Sequence, residues 1–294
     1  MTILIIGILH PGQMGASVGA ACRAGAATVL WTAEGRGAAT CQRADKAGLT
    51  DAGTLAELAS QVDLVISVCP PHAAGEVACD VAQLGFDGLY LDANAISPAL
   101  TREIGQRVES AGATFVDGGI VGPPAWQPGK ARLYLSGAEA PQVAECFAGS
   151  PLEAIVIDAP VGAASALKMV YAAYTKGTTA LLSAILAVAQ HEGVRGVLER
   201  EWQLSQPALA ESVESRVRSN TAKAWRFKGE MDQIAATFAG AGLPAEFHEA
   251  AGEVYRRLAP LKDVDQPPPL DQVLAVLLIG NIVAVEDSST DERT

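Results

Sequence analysis

The sequence has 294 residues, of which 49% are hydrophobic, 18% are charged and 5% are aromatic. This composition excludes a disordered chain, because disordered segments are poor in apolar residues and rich in charge. The length allows one large domain or two ordinary ones. With 21 basic and 33 acidic residues the net charge is −12. The sequence carries no basic stripe of the kind that nucleic-acid binders show, so we expect no nucleic-acid partner.

Cysteine usage and the lengths of the apolar runs indicate the compartment. The five cysteines are an odd number and form no Cys-x-x-Cys pair. This pattern predicts neither a disulfide framework nor a zinc site, and it fits a reducing cytoplasm. The four histidines show no metal-ligand spacing, so we expect no metal. The longest apolar stretches, 178–189 and 273–285, are shorter than the roughly 20 residues that span a bilayer. We interpret them as buried core helices and expect no membrane association.

The first half of the chain alternates strand-like and helix-like runs. Short apolar runs bounded by Gly, Pro or Asp predict seven strands, and Ala-rich segments such as 16–24 and 54–60 predict helices between the early ones. This alternation predicts a mostly parallel, doubly wound, Rossmann-like α/β sheet with helices on both faces. The predicted strands cover residues 3–8, 28–31, 64–68, 88–92, 114–117, 132–136 and 154–157.

After Asp158 the pattern becomes helical, and no further strand is predicted. Residues 161–190 form one helical pattern, broken only at Gly177, which would run roughly 45 Å at 1.5 Å per residue. We therefore predict an α/β domain at 1–158, followed by an all-helical domain at 159–294 that begins with this long helix. Further helices are predicted at 195–217, 219–240, 244–258 and 269–285, with Pro244 in the first turn of the third.

A strand, a glycine-containing turn and a helix open the chain. Gly12 and Gly15 occupy the second and third positions of a Gly-x-Gly-x-x-Gly pattern, and His10 stands at the first. Glycines at such a turn let a pyrophosphate approach the helix N-terminus, where free N–H groups and the helix dipole favour an anion. We therefore predict a dinucleotide site, with an ordinary strand–turn–helix as the alternative. The predicted contacts are His10, Pro11, Gly12, Gln13 and Met14.

The end of the second strand distinguishes the two nicotinamide dinucleotides. NAD-binding sheets place an acid there for the ribose hydroxyls, whereas a nearby arginine accommodates the 2′-phosphate of NADP. In this chain Thr32 follows the strand, and the loop continues with Glu34 and Arg36. Because Arg36 suits a phosphate and Glu34 suits a ribose, we favour NADP and keep NAD as the alternative.

The motifs of the first half resemble the β-hydroxyacid dehydrogenases. This superfamily includes 6-phosphogluconate, 3-hydroxyisobutyrate and tartronate semialdehyde enzymes and the related imine reductases. Residues 12–15 match the second half of its Gly-x-Gly-x-Met-Gly turn, and residues 65–71 are similar to its cofactor loop. The resemblance implies this fold for the first half, followed by a helical domain. It also implies cofactor contacts from Val68, Cys69 and Pro70.

Two further motifs of the resemblance imply site residues. Residues 92–98 keep the Asp and Pro of the family's Asp-x-Ser-Thr-x-x-Pro pattern, with Asn94 in place of Ser. This match implies that Asn94 contacts both cofactor and substrate. Residues 162–168 match the family's Gly-x-Gly-x-x-x-Lys motif at Gly162 and Lys168. The resemblance therefore implies that Lys168 is the catalytic lysine.

The resemblance is weaker on the substrate side. Where the family has Ser-Gly-Gly to hold a substrate carboxylate, this chain has Val121, Gly122 and Pro123. Gly122 is the substrate contact that the resemblance still implies. Four residues beyond the lysine the family has Asn, and this chain has Ala172. These departures disfavour a small 2-methyl-3-hydroxy acid as substrate.

The helical pattern itself draws attention to Lys168. On a helix Ala164, Lys168, Tyr171 and Thr175 share one face. Burial on this face would lower the pKa of a lysine toward a useful acid/base range, and Tyr171 beside it would donate a hydrogen bond. We predict that Tyr171 assists catalysis and that Tyr171 and Thr175 contact substrate. A lysine that extends to the surface and a tyrosine packed in the core remain the alternatives.

We therefore predict an NAD(P)-dependent oxidoreductase that moves hydride between nicotinamide and a carbon bearing a hydroxyl or carbonyl group. Imine reduction is the second enzymatic prediction. A non-catalytic NADP-binding sensor or assembly protein is the alternative of another class. Residues 178–189 are apolar nearly all round and must be covered on every side, so we expect a homodimer through the helical domain.

Overall fold

The computed structural model describes residues 4–24, 28–262, 264 and 266–286. Two compact units divide the chain, one ending at Val170 and the other beginning at Tyr171. The sequence placed this boundary at 158. The first unit extends further because the backbone of residues 162–165 is hydrogen-bonded to a strand of the sheet. Residues 287–294 of the predicted second domain lie outside the described residues.

The first unit contains one sheet of eight strands. Each of the seven predicted strands has a counterpart, except that residue 3 lies outside the described part of the chain. The sequence missed β3, which is too short to show periodicity, and it ended β6 at Asp117 because Gly118-Gly119 is typical of a turn. The strands are β1 (Ile5–Ile8), β2 (Thr28–Trp31), β3 (Thr50–Asp51), β4 (Leu64–Ser67), β5 (Leu89–Asp92), β6 (Thr114–Val121), β7 (Ala131–Ser136) and β8 (Leu152–Val156).

The strand order is β3-β2-β1-β4-β5-β6-β7-β8. Strands β1 to β6 are parallel, β7 pairs antiparallel with β6, and β8 pairs parallel with β7. The first six strands thus have the order of a dinucleotide-binding sheet, in which the direction of winding reverses between β1 and β4. Ligands of such sheets bind outside the carboxyl ends of the strands at this reversal, and the turn after β1 lies there.

Helices cover the sheet from two sides, and the alternation of side chains along each strand explains why. Leu64 and Ile66 pack into one core with α1, α2 and α6, whereas Val65 packs into a second core with α3, α4 and α5. This arrangement confirms the predicted doubly wound α/β fold. The helices are α1 (Gln13–Ala24), α2 (Ala38–Ala47), α3 (Leu55–Ala59), α4 (Ala74–Gln83), α5 (Pro98–Ser110) and α6 (Ala140–Glu145).

The described part of the second unit is helical throughout, as predicted. The predicted helix 195–217 is two helices, because Pro207 begins the second and pushes the preceding Gln206 out of helical geometry. Pro244 precedes its helix instead of lying in the first turn. The segments are α7 (Ala163–Ala172), which begins in the first unit, a π-helical turn (Ala173–Gly177), α8 (Thr178–His191), α9 (Arg195–Ser205), α10 (Pro207–Ser219), α11 (Ala224–Gly240), α12 (Glu246–Leu258) and α13 (Leu270–Glu286).

The helical run Ala163–His191 was predicted as one long helix, and it contains the π-helical turn that ends at the predicted break, Gly177. By length and composition alone this run is able to cross a membrane, and half of its most apolar window is buried inside the protein. A single helix of this kind is weak evidence for a membrane span, because the core helices of globular domains have the same length and composition.

Candidate functional site

The turn after β1 is shaped by two glycines with different roles. Its backbone folds tightly, since the N–H of Gly12 donates to the carbonyl of His10 over 2.8 Å, and α1 begins at the next residue. A Cβ on Gly15 would lie 2.1 Å from the His10 carbonyl oxygen, so only glycine lets the helix pack this closely on the turn. A Cβ on Gly12 would meet no heavy atom within 4 Å. Space therefore remains in front of the turn for a ligand.

Two arginines contact the backbone carbonyls of this turn. Arg36 donates from Nη2 to the carbonyl of Leu9 over 3.3 Å, and Arg43 donates from Nε to the carbonyl of Pro11 over 3.3 Å. The structure thus brings Arg36, predicted from the loop after β2, to the predicted turn. Arg43 is a second cation whose approach to this turn the sequence did not predict.

His10 replaces the first glycine of the motif and lies beside Arg36. Burial and the Arg36 charge lower the pKa of His10 to about 4, so its imidazole is neutral at pH 7. Its Nδ1 and the Nε of Arg36 are both buried and have no hydrogen-bond partner among the described residues. Buried polar atoms are normally satisfied. Two such atoms at one turn indicate that a polar ligand group completes the site.

The position at the end of β2 has no free acid. The Thr32 hydroxyl donates to the carbonyl of Gly53 over 2.6 Å and accepts from the N–H of Glu34 over 3.3 Å. Thr32 is buried by these contacts, and the Glu34 residue itself is exposed on the loop. Of the predicted turn contacts, Gln13 is exposed at the start of α1 and Met14 is half-buried.

Asn94 fixes the loop after β4. Its Oδ1 accepts from the N–H of Cys69 over 2.6 Å, while its Nδ2 donates to Ser67 Oγ over 3.1 Å and to Asp92 Oδ2 over 2.9 Å. The amide is buried and fully used inside the protein. Asn94 therefore shapes the predicted cofactor loop of Val68, Cys69 and Pro70. Its predicted contacts with cofactor and substrate stay predictions.

Burial opposes the ionisation of two groups around Asn94. Burial is the main cause that raises the pKa of Asp92 to about 7, and hydrogen bonds from Asn94 oppose it. Burial likewise raises the pKa of the Cys69 thiol to about 12, so the sulfur is protonated at neutral pH. The contact of Cys69 with Asn94 is made by its backbone N–H, and its sulfur is not a thiolate.

Asp117 caps the helix that carries the predicted catalytic lysine. Its carboxylate accepts from the backbone N–H groups of Gly162, Ala164 and Ser165 over 2.9, 3.0 and 3.1 Å. It also accepts from the hydroxyls of Ser136 and Ser165 over 2.8 and 2.6 Å. A buried carboxylate at a helix N-terminus satisfies the orphan N–H groups and complements the helix dipole. Asp117 therefore joins the start of α7 to β6.

Gly119 lets α7 lie directly on β6. A Cβ at this position would lie 2.5 Å from the Ala164 carbonyl oxygen and 3.1 Å from the Cβ of Lys168. The half-buried Lys168 is thus held over the carboxyl-terminal half of β6, at the sheet edge where β1 and β4 also end. The sequence did not identify Asp117 and Gly119 as positioning groups, because their partners on α7 and in the turn before it lie more than 40 residues further along the chain.

The other predicted substrate contacts are Tyr171, Thr175 and Gly122. Tyr171 follows one turn after Lys168 on α7 and is 49% exposed. The Thr175 hydroxyl donates to the carbonyl of Tyr171 over 3.2 Å, within its own helix. Gly122 has a φ of +122°, and a Cβ there would lie 2.3 Å from the carbonyl oxygen of Lys130. Gly122 is thus required by the backbone of its own loop, and its predicted substrate contact stays a prediction.

Comparison with known proteins agrees with this architecture. Residues 2–145 match the NAD binding domain of 6-phosphogluconate dehydrogenase, and residues 189–258 match a domain of unknown function, DUF1932. The first part of the chain is therefore similar to the nucleotide-binding domain of the 6-phosphogluconate dehydrogenases. This match indicates that the nucleotide domain binds a nicotinamide cofactor. The predicted resemblance is confirmed.

One curated relative is an uncharacterized 28.5 kDa protein of Methanothermus fervidus. It is 32% identical over 163 residues, which are 55% of this chain and 61% of that protein. This chain therefore spans less than two thirds of that relative.

Solved structures cover nearly the whole chain. One of them is MTH1747, a conserved protein of unknown function with structural similarity to 3-hydroxyacid dehydrogenases. It is 27% identical to this chain with a TM-score of 0.67, and the match covers 88% of this chain and 98% of MTH1747. Mycobacterium tuberculosis 3-hydroxyisobutyrate dehydrogenase is 19% identical, with coverage of 94% and 99% and a TM-score of 0.65. A Myxococcus stipitatus imine reductase is 18% identical, with coverage of 94% and 100% and a TM-score of 0.54. The last two share the fold.

The described residues fit a nicotinamide dinucleotide. The open space at Gly12 and the N-terminus of α1 suit the pyrophosphate. The unpartnered Nε of Arg36 and Nδ1 of His10 suit polar groups of the adenosine half. The loop of Val68, Cys69 and Pro70, fixed by Asn94, lies across the winding reversal from the turn.

Proposed function

We propose that this protein is an NAD(P)-dependent oxidoreductase that interconverts a hydroxyl and a carbonyl group on its substrate, with Lys168 as the acid/base and NADP as the preferred cofactor. One observation carries the proposal: Asp117 and Gly119 hold α7 on β6, so that Lys168 lies at the sheet edge where the dinucleotide turn also lies. A lysine placed at this edge can reach an oxygen on the substrate carbon.

The bound nicotinamide supplies the hydride for reduction and receives it in oxidation. The ammonium of Lys168 donates a proton to the substrate oxygen as a carbonyl becomes a hydroxyl, and the neutral amine accepts that proton in the reverse direction. Tyr171, one turn further along α7, is proposed to hydrogen-bond the same oxygen. The sheet edge and the turn orient the reactants.

The preference for NADP rests on charge at the dinucleotide turn. Arg36 and Arg43 both contact its carbonyls, and the Thr32 hydroxyl at the end of β2 is bonded within the protein. Two guanidinium groups favour a 2′-phosphate through charge-assisted hydrogen bonds. NAD, which lacks this phosphate, would use only part of this surface.

The test is Lys168→Ala, assayed by NADPH absorbance against a panel of hydroxy acids, aldehydes and cyclic imines. Removing a positioned acid/base group costs about 10²–10⁴-fold in rate, so kcat should fall by that factor while NADPH affinity stays unchanged. Lys168→Arg should fail as well, because a guanidinium does not exchange its proton near neutral pH. Full turnover by Lys168→Ala would refute the proposed role. A large loss only in Tyr171→Phe would move the role to the phenol.

Imine reduction is the second candidate. It is favoured by Val121 and Pro123, which replace the Ser and second Gly of a carboxylate-holding loop. Lys168 argues against it, because a protonated lysine beside an iminium ion is unfavourable. Faster turnover of cyclic imines than of carbonyl compounds would favour this candidate. A protein that binds NADPH and turns over no member of the panel would instead be a non-catalytic sensor.

The helical unit is proposed to form a two-fold homodimer, in a reducing cytoplasm that suits the five free thiols. Leu181 and Val188 of α8 are exposed. Between α8 and α9 lies an entirely apolar groove of about 410 Å³, which includes Ile185, Val194 and Leu198. A second copy of the same surface would bury these side chains. Light scattering at micromolar concentration should give about twice 30.3 kDa, and a monomer would contradict the proposal.

A further inference from the structure

The segment from Gly122 to Lys130, between β6 and β7, is a closed and stiff loop. Its ends touch, because the α-carbon of Gly122 approaches the carbonyl oxygen of Lys130 so closely that a Cβ would lie 2.3 Å from that oxygen. Inside the loop the N–H of Trp126 donates to the carbonyl of Pro124 over 2.9 Å. Three prolines, at 123, 124 and 128, further restrict the backbone. The loop therefore presents its side chains in a fixed arrangement.

This loop is docked on the helix that follows the dinucleotide turn. The N–H of Ala125 donates to the hydroxyl oxygen of Ser17 over 3.0 Å, and that hydroxyl donates to the carbonyl of Met14 over 2.8 Å. Ala125 and Ser17 are both fully buried, with 2% and 0% exposure. The residue next to Ala125 is thus anchored near the start of α1, the helix that follows the predicted dinucleotide turn.

That next residue is Trp126, whose exposed fraction is 54%. An indole offers a large, rigid apolar face with one polar N–H, a surface that is enriched where proteins contact ligands and partners. Holding it in water on a stiff loop leaves its apolar area uncovered, which is unfavourable. The fold itself makes little use of this area, since Ala125 provides the buried anchor of the loop.

The chemistry of the loop restricts what it can bind. Pro123 and Pro124 have no backbone N–H and cannot donate to a carboxylate. Their rings and the indole of Trp126 present apolar surface. A substrate that meets this loop therefore gains from an uncharged apolar substituent and finds no proline N–H for a carboxylate.

We propose that Trp126 is a substrate-specificity residue whose indole contacts an apolar, uncharged substituent of the carbonyl substrate. This inference rests on the proposed function. The indole would favour carbonyl substrates whose other end is apolar over carbonyl substrates whose other end is a carboxylate. Trp126 takes no part in proton or hydride transfer, so its effect should appear with the substrate and not with the cofactor.

Two aldehydes of similar shape test the inference: 4-methylpentanal, which ends in an isopropyl group, and succinate semialdehyde, which ends in a carboxylate. Trp126→Ala should lower kcat/KM for 4-methylpentanal by about tenfold or more, in the range that apolar pocket contacts give. Trp126→Phe should keep most of the wild-type kcat/KM for 4-methylpentanal. Turnover of succinate semialdehyde and the Kd for NADPH should stay unchanged. Trp225→Ala removes a similarly exposed tryptophan of the second unit and serves as the matched control.

A binding measurement tests the contact between Trp126 and the substrate without requiring turnover. In a complex with NADP⁺, 4-methylpentanal should protect tryptophan fluorescence from acrylamide quenching, and this protection should disappear in Trp126→Phe. Succinate semialdehyde should give none. Protection without any NADPH oxidation would leave the inference standing and refute the proposed reaction on aldehydes. No protection, or unchanged kcat/KM in Trp126→Ala, would overturn the inference, and with turnover intact the proposed function would stand.

Discussion

Gly119→Ala is the sharpest test of how the fold places Lys168. The substitution adds one methyl group where α7 crosses β6. That Cβ would lie 2.5 Å from the Ala164 carbonyl oxygen, whereas ordinary contacts begin at 3.4 Å, so the helix must retreat by about 0.9 Å. The Lys168 Cβ, which would be 3.1 Å from the new methyl carbon, must move as well. A displacement of about 1 Å can cost about 10²-fold in rate.

We therefore expect kcat of Gly119→Ala to fall by about 10²-fold, with a loss of stability of about 1–3 kcal/mol from overpacking. The Kd for NADPH should stay within about twofold, because the dinucleotide turn follows β1 and not β6. Steady-state kinetics, NADPH fluorescence titration and thermal unfolding measure the three quantities. Gly75→Ala, which adds the same methyl group where no heavy atom lies within 4 Å, is the matched control.

Two outcomes would refute this reasoning. Wild-type kcat in a folded Gly119→Ala protein would show that α7 tolerates the displacement or that Lys168 is not the acid/base. A further large loss of kcat when Gly119→Ala is added to Lys168→Ala would show that Gly119 acts on something other than the lysine, since effects through one group are not additive.

Three other predictions concern the dinucleotide domain. Arg36→Ala should weaken NADP binding by tenfold or more, and NAD binding by much less, because a charge-assisted contact contributes about 1.5–3 kcal/mol; equal losses in titrations, or the same loss in the control Arg107→Ala, would contradict it. Asn94→Ala leaves the Cys69 N–H without its acceptor and should cost about 1–3 kcal/mol in urea unfolding together with weaker cofactor binding. Because the folded state raises the pKa of Asp92 from 3.8 to about 7, it keeps a proton that the unfolded chain loses, and stability relative to Asp92→Asn should fall by a few kcal/mol as pH rises from about 4 to 7 and then level off. A flat difference in unfolding free energy across this window would refute the assignment.

The sequence predicted the sheet well because its signals are local. Each buried strand of the first half is a short apolar run, and His10 to Gly15 form the turn from neighbouring residues. Two errors in the predicted elements, the end of β6 and the single helix 195–217, also have physical reasons. Gly118 and Gly119 are typical of a turn, but both lie inside β6. A side chain on Gly119 would collide with α7, and one on Gly118 would crowd Leu91 and Asp92 at the end of β5. Pro207 divides a helical pattern that periodicity alone reads as continuous.

The candidate site was predicted less completely, because its contacts join distant parts of the chain. Asn94 was predicted to contact cofactor and substrate, and the sequence did not reveal that its amide also bonds to Ser67, Cys69 and Asp92. Neither Asp117 as a helix cap nor the contact of Arg43 with the dinucleotide turn has a motif that reveals it. These roles depend on strand order and helix docking, which periodicity does not specify.

The contacts that should determine cofactor affinity lie on a different strand from those that should determine turnover and substrate choice. Strand β1 leads to the dinucleotide turn, whereas β6 carries Asp117 and Gly119, which hold Lys168, and continues into the loop that presents Trp126. Changes along β6 should therefore alter turnover and substrate choice together and leave cofactor affinity almost unchanged. Changes at His10 or Arg36 should do the reverse. A chain built in this way can keep its cofactor motif while the loop after β6 changes. The turn after β1 keeps two of the three motif glycines, whereas the Val121–Pro123 segment keeps only one residue of Ser-Gly-Gly.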